Sequence, residues 1–199
     1  MGKARAYHHG DLRSTLVALA DEEIASAGVE TISVRALSRA AGVAHRAAYQ
    51  HFPDKDALVA AALAQGYQRL EERLSAVIGK ATPPEEQLIA IAKAYADFAH
   101  DEPNMFLAMT GPRINQAGGF VELEAALRRN WRLIVRPINE GVDSGVFGVS
   151  DKHAAAAIFW GGLQGVITQA VLNRIKLKPE ERRGFFDLAA RRLVAALKT

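Results

Sequence analysis

Apolar residues recur at three- and four-residue intervals along almost the whole chain, and no stretch alternates in the manner of a half-buried strand or carries a hairpin signal. The pattern predicts an all-α protein. The first helix is expected from about Asp11 to Ala27, with Leu12, Leu16, Leu19, Ala20 and Ile24 on one face, Asp11 as cap and Gly28 as stop. A short helix follows over about 34–41, capped by Ser33. Val34, Leu37 and Ala41 should face inward, and Arg35, Ser38 and Arg39 outward. Gly42 ends it, and a third helix runs from Val43 to about Phe52 before Pro53 and Asp54 break the chain. A long fourth helix is expected over 55–78.

The stretch GKATPPEE (Gly79 to Glu86) reads as the main boundary. Thr82 and Glu85 have capping-box spacing, with Pro83 in the first turn. Five more helices are expected at about 84–100, 104–110, 119–141, 151–174 and 179–197. In the middle one Phe120, Leu123, Leu127, Trp131, Ile134 and Ile138 form an apolar stripe, and Pro137 should kink or break it. Ala154 to Leu172 carries no formal charge, yet its Ala/Gly content and Gln164, Thr168 and Gln169 read as a buried helix rather than a membrane span.

The two short helices joined by a Gly-containing turn have the form of a helix-turn-helix, whose second helix enters the major groove of DNA. A helix that slides into a groove about as wide as itself must be slim. Ala44, Ala47 and Ala48 keep it so, while His45, Arg46, Tyr49, Gln50 and His51 supply donors and apolar edges. Val43 and Phe52 are the expected anchors. Lys55 opens the fourth helix, where a cation opposes the macrodipole. A DNA phosphate at that end would reconcile the sign; a lysine reaching past the end into water is the alternative.

Composition adds little pressure toward a polyanion partner. The net charge is +3, and residues 1–60 hold seven Lys/Arg against seven Asp/Glu. The distribution is more telling, because Arg35, Arg39, Arg46 and Lys55 gather in the motif, and four of the six histidines lie within residues 8–51. Absence of cysteine removes disulfides, thiolate nucleophiles and thiolate metal sites. The opening residues show no signal peptide and Ala6 departs from a myristoylation signal. His8 and His9, beside Lys3 and Arg5, form an arm that either reaches a minor groove or has no role; no second ligand set supports metal there. His100, Asp101 and Glu102 resemble an acid/base cluster but sit at a helix end before Pro103, and no nucleophile elbow, phosphate loop or zinc helix accompanies them. An enzyme is not expected, and neither cofactor nor metal is.

The stretch HHGDLRSTLVALADEEIASAGVETISVRALSRAAGVAHRAAYQHFPDKDALVAAAL closely resembles the DNA-binding domain of the tetracycline-repressor (TetR) family of bacterial regulators. Gly28, Val34, Ala36, Ala40, Gly42, Val43, Tyr49, His51, Phe52, Lys55 and Leu58 fall where that family's pattern wants them. YHHGDLR, MFLAMTGP and FWGGLQG further resemble a branch known for a Trp-x-Gly segment in its C-terminal domain. The resemblance implies a cytoplasmic homodimer, nucleoid-associated when bound to a double-stranded DNA operator. Residues 1–55 would be the helix-turn-helix domain, the long helix 55–78 the joint, and 80–199 the ligand-binding and dimerisation domain. It implies phosphate contacts from Ser33 and Arg35, base-edge positions for Ala44, His45 and Arg46, and backbone grip from Tyr49, His51 and Lys55. The family usually places Ser or Thr at 44; Ala44 forgoes a side-chain cap worth about 1 kcal/mol.

A small-molecule effector of unknown identity is also implied. Phe98, Met105, Met109, Trp131 and Trp160 are candidate pocket residues, with Arg113 and Gln164, and further Asn115, Gln116 and Asn130, as polar contacts. The segment Gly111 to Gly119 is either a mobile loop at the pocket mouth or a tight connector. Gly161 and Gly165 share a helix face and call for close approach, of a partner helix or of a ligand. With Phe185, Phe186, Ala189 and Leu193, and also Leu197, they form the expected dimer interface. A helical adaptor without specific DNA binding is the competing reading.

Overall fold

The computed structural model describes residues 12–79, 82–111 and 119–198. Asp11, the arm around His8 and His9, and Arg113, Asn115 and Gln116 lie outside them. The described residues form helices and connecting turns, without a strand. In order these are α1 (Leu12–Ala27), a 3-10 turn (Val29–Thr31), α2 (Val34–Ala40), α3 (His45–Tyr49), α4 (Lys55–Ala76), α5 (Pro84–Asp101), α6 (Pro103–Thr110), α7 (Val121–Asp143), α8 (Lys152–Val171), α9 (Pro179–Ala195) and a closing 3-10 turn (Ala196–Lys198).

One contiguous cluster of buried side chains runs from α1 to α9. At the N-terminal end, α1 buries Leu12, Leu16, Val17, Ala20 and Ile24. Gly28 stops it with φ +90°, which glycine adopts without a Cβ penalty. Leu58, Leu63, Leu70 and Leu74 on α4 are fully buried, and α4 packs chiefly on α7 and α1. Asp54 caps α4: its carboxylate accepts from the Ala57 amide at 2.7 Å.

Several boundaries depart from the expected ones for local reasons. The expected capping box at Thr82 is absent. Pro83 is the cap residue of α5 with no side-chain bond, and Pro84 opens the helix. A residue before proline is driven out of the α region, and Pro83 accordingly sits at ψ 148°. α7 is not broken at Pro137 and continues to Asp143. α8 ends at Val171, three residues early, where Asn173 turns left-handed at φ 54° and the Arg174 amide reaches back to the Gln169 carbonyl at 2.8 Å.

α8 is also not the wholly buried helix its composition suggested. It is long and apolar enough to cross a membrane by length and composition, yet only 28% of its apolar window is buried. Ala155, Ala156, Phe159, Leu163 and Ile167 form its core face. The opposite face leaves Ile158 68% exposed.

Two glycines separate backbone strain from packing. At Gly42, φ is +71° but an added Cβ would meet nothing within 4 Å. At Gly141 it would lie 2.2 Å from the ring of Phe147, which is buried. Gly42→Ala should therefore cost about 1 kcal/mol of left-handed strain, and Gly141→Ala about 2–3 kcal/mol of overpacking. Denaturant titration checks the order; equal midpoints would show that Phe147 gives way freely.

Candidate nucleic-acid interface and effector cavity

The geometry of the first site begins with what holds two short helices in place. A helix of five residues such as α3 has no stability of its own. α3 is fixed by Ala48, which is fully buried, and by Phe52, which is 3% exposed just beyond it. The His51 and Phe52 amides donate to the Ala48 carbonyl at 3.0 Å and close the helix. α2 is capped by Ser33, whose hydroxyl accepts from the Ala36 amide at 3.4 Å. The turn between them is closed by the Gly42 amide on the Arg39 carbonyl and the Val43 amide on the Ser38 carbonyl, each at 3.0 Å.

Two side chains stand opposite to expectation. Ser38 is buried rather than outward, because its hydroxyl is satisfied by the Val34 carbonyl at 2.7 Å. Ala48 and, in part, Ala47 face the core, so their small size serves packing against the head. Ala44 alone of the three alanines is exposed, and as cap residue of α3 it makes no side-chain bond.

With those side chains inward, the outward set is coherent. Ser33, Arg35, Ala44, His45, Arg46, Tyr49, Gln50 and His51 are all exposed. Tyr49 stands 45% exposed, held edge-on against His45 with ring centroids 4.9 Å apart. Lys55 is half-buried, and its Nζ donates to the Glu30 carbonyl at 3.3 Å. An ammonium has three donors, so this bond leaves capacity for an anion.

The second site lies in the C-terminal half. A cavity of about 270 Å³ is lined by Tyr67 of α4, Tyr95 of α5, Leu127, Arg128, Asn130, Trp131 and Ile134 of α7, and Trp160 and Gln164 of α8. Tyr95 and Trp160 stack at 4.3 Å and make a flat aromatic wall. Burial pushes the hydroxyls of Tyr67 and Tyr95 well above the ordinary tyrosine value. Tyr67 thus keeps its proton and donates it to the Met109 carbonyl at 2.8 Å.

Three expected pocket residues are not in this lining. Phe98 is fully buried beneath Arg73, whose guanidinium carbon sits 5.4 Å from its ring centroid. Met105 and Met109 fill the contact between α6 and α4: a Cβ at Gly66 would lie 2.8 Å from the Met105 sulfur. Large apolar residues at helical spacing look alike in a core and in a pocket. Tyr67, Tyr95, Leu127, Arg128 and Ile134 line the cavity without having been candidates. For the two tyrosines the signal was an aromatic with a polar tip inside an otherwise apolar stripe. Among the described residues no cluster of three His, Asp or Glu side chains could hold a metal ion.

The expected dimer set divides in two. Gly161 and Gly165 are exposed, and an added Cβ at either would meet nothing within 4 Å. Phe185 and Ala189 are half-buried. Phe186 and Leu193, by contrast, pack on the chain's own core, with a Cβ at Gly162 lying 2.9 Å from Leu193, and Leu197 is buried. The glycine that α9 needs for close approach is therefore Gly162.

Comparison with known proteins agrees with both halves. Residues 16–62 match the family model of bacterial regulatory proteins of the tetR family, and residues 88–193 match the tetracyclin repressor-like C-terminal domain. No curated protein matches significantly. Among solved structures, a Rhodococcus sp. RHA1 protein of unknown function is 28% identical with a TM-score of 0.82, over 98% of this chain and 100% of that one. The regulator FadR from Bacillus subtilis, solved with stearoyl-CoA, is 18% identical at a TM-score of 0.72, over 92% of this chain and 97% of its own. RolR, solved with resorcinol, is 18% identical at 0.68, over 94% and 90%. The two matched regions cover most of the chain: it belongs to the tetR family of transcriptional regulators, and is a DNA-binding regulator rather than an enzyme.

Proposed function

We propose that the chain is a homodimeric repressor that binds a near-palindromic operator and releases it when a small molecule fills the cavity beside Trp160. The observation that carries the DNA-reading part is the sorting of the motif: Arg35, Arg39 and the polar side chains from His45 to His51 are exposed while Ala48, Phe52 and Leu37 are buried. A protein-adaptor face would instead expose an apolar patch. Ser33, Arg35, Tyr49, His51 and Lys55 are assigned to phosphates, and Ala44, His45, Arg46 and Gln50 to the groove.

A two-fold dimer pairs the outer face of α8 with its copy. Ile158, Gly161 and Gly165, with Leu172 just past the helix end, follow helical spacing there; Ile158 is 68% and Leu172 40% exposed, and on α9 Leu188 is 54% exposed. The glycines let a partner helix approach closely. Two recognition helices then meet half-sites separated by whole turns of DNA.

Molecules bound in similar solved structures range from stearoyl-CoA to resorcinol, so the fold leaves effector chemistry open. α4 supplies the coupling. Its first residue, Lys55, lies at the DNA-reading end, and Tyr67, twelve residues on, lines the cavity. A ligand acts only as far as it prefers the α4 position of the released state.

Selection from a random DNA pool at moderate salt should return a near-palindrome. Loss of enrichment with ligand-free protein would contradict sequence-specific binding. Arg46→Ala should weaken the selected site by about 10–100-fold at unchanged helicity. Lys55→Ala should weaken all sequences alike and lower the salt slope by about one. Ile158→Glu should sediment as a folded monomer with little operator affinity; a variant that stays dimeric would place the interface elsewhere.

A further inference from the structure

The effector cavity is chemically selective. Among the described residues its interior carries no formal charge. Arg128, the only charged residue of the described lining, is exposed and pairs with Glu124 at 3.4 Å on the same helix. Moving a carboxylate or ammonium away from water without a partner is costly, so the interior suits a neutral guest. Its volume, about 270 Å³, compares with the roughly 150 Å³ that encloses a benzene ring. One or two rings fit, against the wall made by Tyr95 and Trp160.

Asn130 sets the polarity. It is 4% exposed, and its amide nitrogen donates to two main-chain carbonyls, Tyr67 at 2.9 Å and Ala126 at 3.0 Å. Two acceptors on one end fix which end is NH₂. The oxygen Oδ1 is thereby defined as an acceptor, and it is buried without a hydrogen-bond partner among the described residues. An unsatisfied buried acceptor is costly, and a ligand that donates to it recovers that cost. Tyr67 cannot serve, since its hydroxyl is committed to Met109.

Resting on the regulator reading above, we infer that the effector is a neutral one- or two-ring aromatic compound bearing a hydroxyl or N–H donor, which stacks by Trp160 and donates to Asn130 Oδ1. Gln164, half-buried in the same lining, offers a second polar contact.

Both tryptophans of the chain line this cavity, so their emission reports occupancy directly. The test uses three probes of one shape on the purified, DNA-free chain: para-ethylphenol, its donor-less ether para-ethylanisole, and the anionic para-ethylbenzoate. The phenol should quench tryptophan saturably and bind at least about ten-fold tighter than the other two by calorimetry. Asn130→Leu should abolish the preference for phenol over ether. Should that variant lose helicity, the wild-type phenol-to-ether ratio decides alone. Equal phenol and ether affinities, tighter benzoate binding, or no quenching by any probe overturns the inference. Operator selection separates the two readings: operator binding without aromatic binding overturns the ligand class and spares the regulator, and aromatic binding without operator selection supports the ligand class and overturns the repressor.

Discussion

The burial of α4 against α7 is the constraint on which both sites depend. α4 follows the DNA-reading helices directly along the chain and lines the cavity further on. Its position is fixed by shape and by directed bonds. Gly66 admits the methionines of α6, Leu63, Leu70 and Leu74 are fully buried, and Asn130 of α7 holds the Tyr67 carbonyl. A buried leucine is worth about 1.5–3 kcal/mol, so this contact far exceeds any single polar pair in the chain. It also explains the cavity. Asn130 and the two tyrosines interrupt the apolar stripes of α4, α5 and α7 where these helices meet, and a mainly apolar space edged by a few polar groups remains there.

Charge ties the same helix to the head. Arg69 of α4 bonds Asp21 of α1 at 3.0 Å and Glu102, at the junction of α5 and α6, at 2.8 Å. Arg73 adds Asp101 and again Glu102. Glu102 is 18% exposed and takes two arginines, so its charge is compensated as it leaves water. The residues that looked like an acid/base cluster in sequence, Asp101 and Glu102, are thus the anionic half of a structural network.

How much of this was legible follows from the length of each pattern. The long helices announce themselves because three or more turns repeat the apolar spacing, and the helix-turn-helix because Ser33, Gly42 and Phe52 each have a geometric duty. The facing of Ala48 and Ser38 was not legible. Two turns or fewer define no face, and a serine can be buried whenever a carbonyl four residues back takes its proton. The lining of the cavity was half legible. Trp131, Trp160, Gln164 and Asn130 stand out as bulky or polar residues in apolar runs. Met105 and Phe98 stand out equally and are core, because only the glycine on the facing helix, Gly66, decides where a methionine goes.

Two routes join cavity and recognition helix, and their magnitudes rank them. One is lateral. Glu122 in the first turn of α7 pairs with Arg13 at 2.7 Å, and Arg13 lies over the ring of Phe52 at 5.4 Å, at the edge of a gap of about 250 Å³ between head and α7. Both partners of that ion pair are about half exposed or more, at 47% and 62%. Such pairs contribute about 0–1 kcal/mol and fade with salt. Coupling between sites in a responsive regulator is typically about 1–3 kcal/mol, which the lateral route cannot supply alone. The axial route can. A displacement of Tyr67 shifts a helix whose buried faces are each worth several such pairs, and packed faces move between discrete arrangements rather than bending. In the proposed coupling the gap beside Arg13 would give the head room to follow, and the Arg13 pair would register the movement rather than drive it.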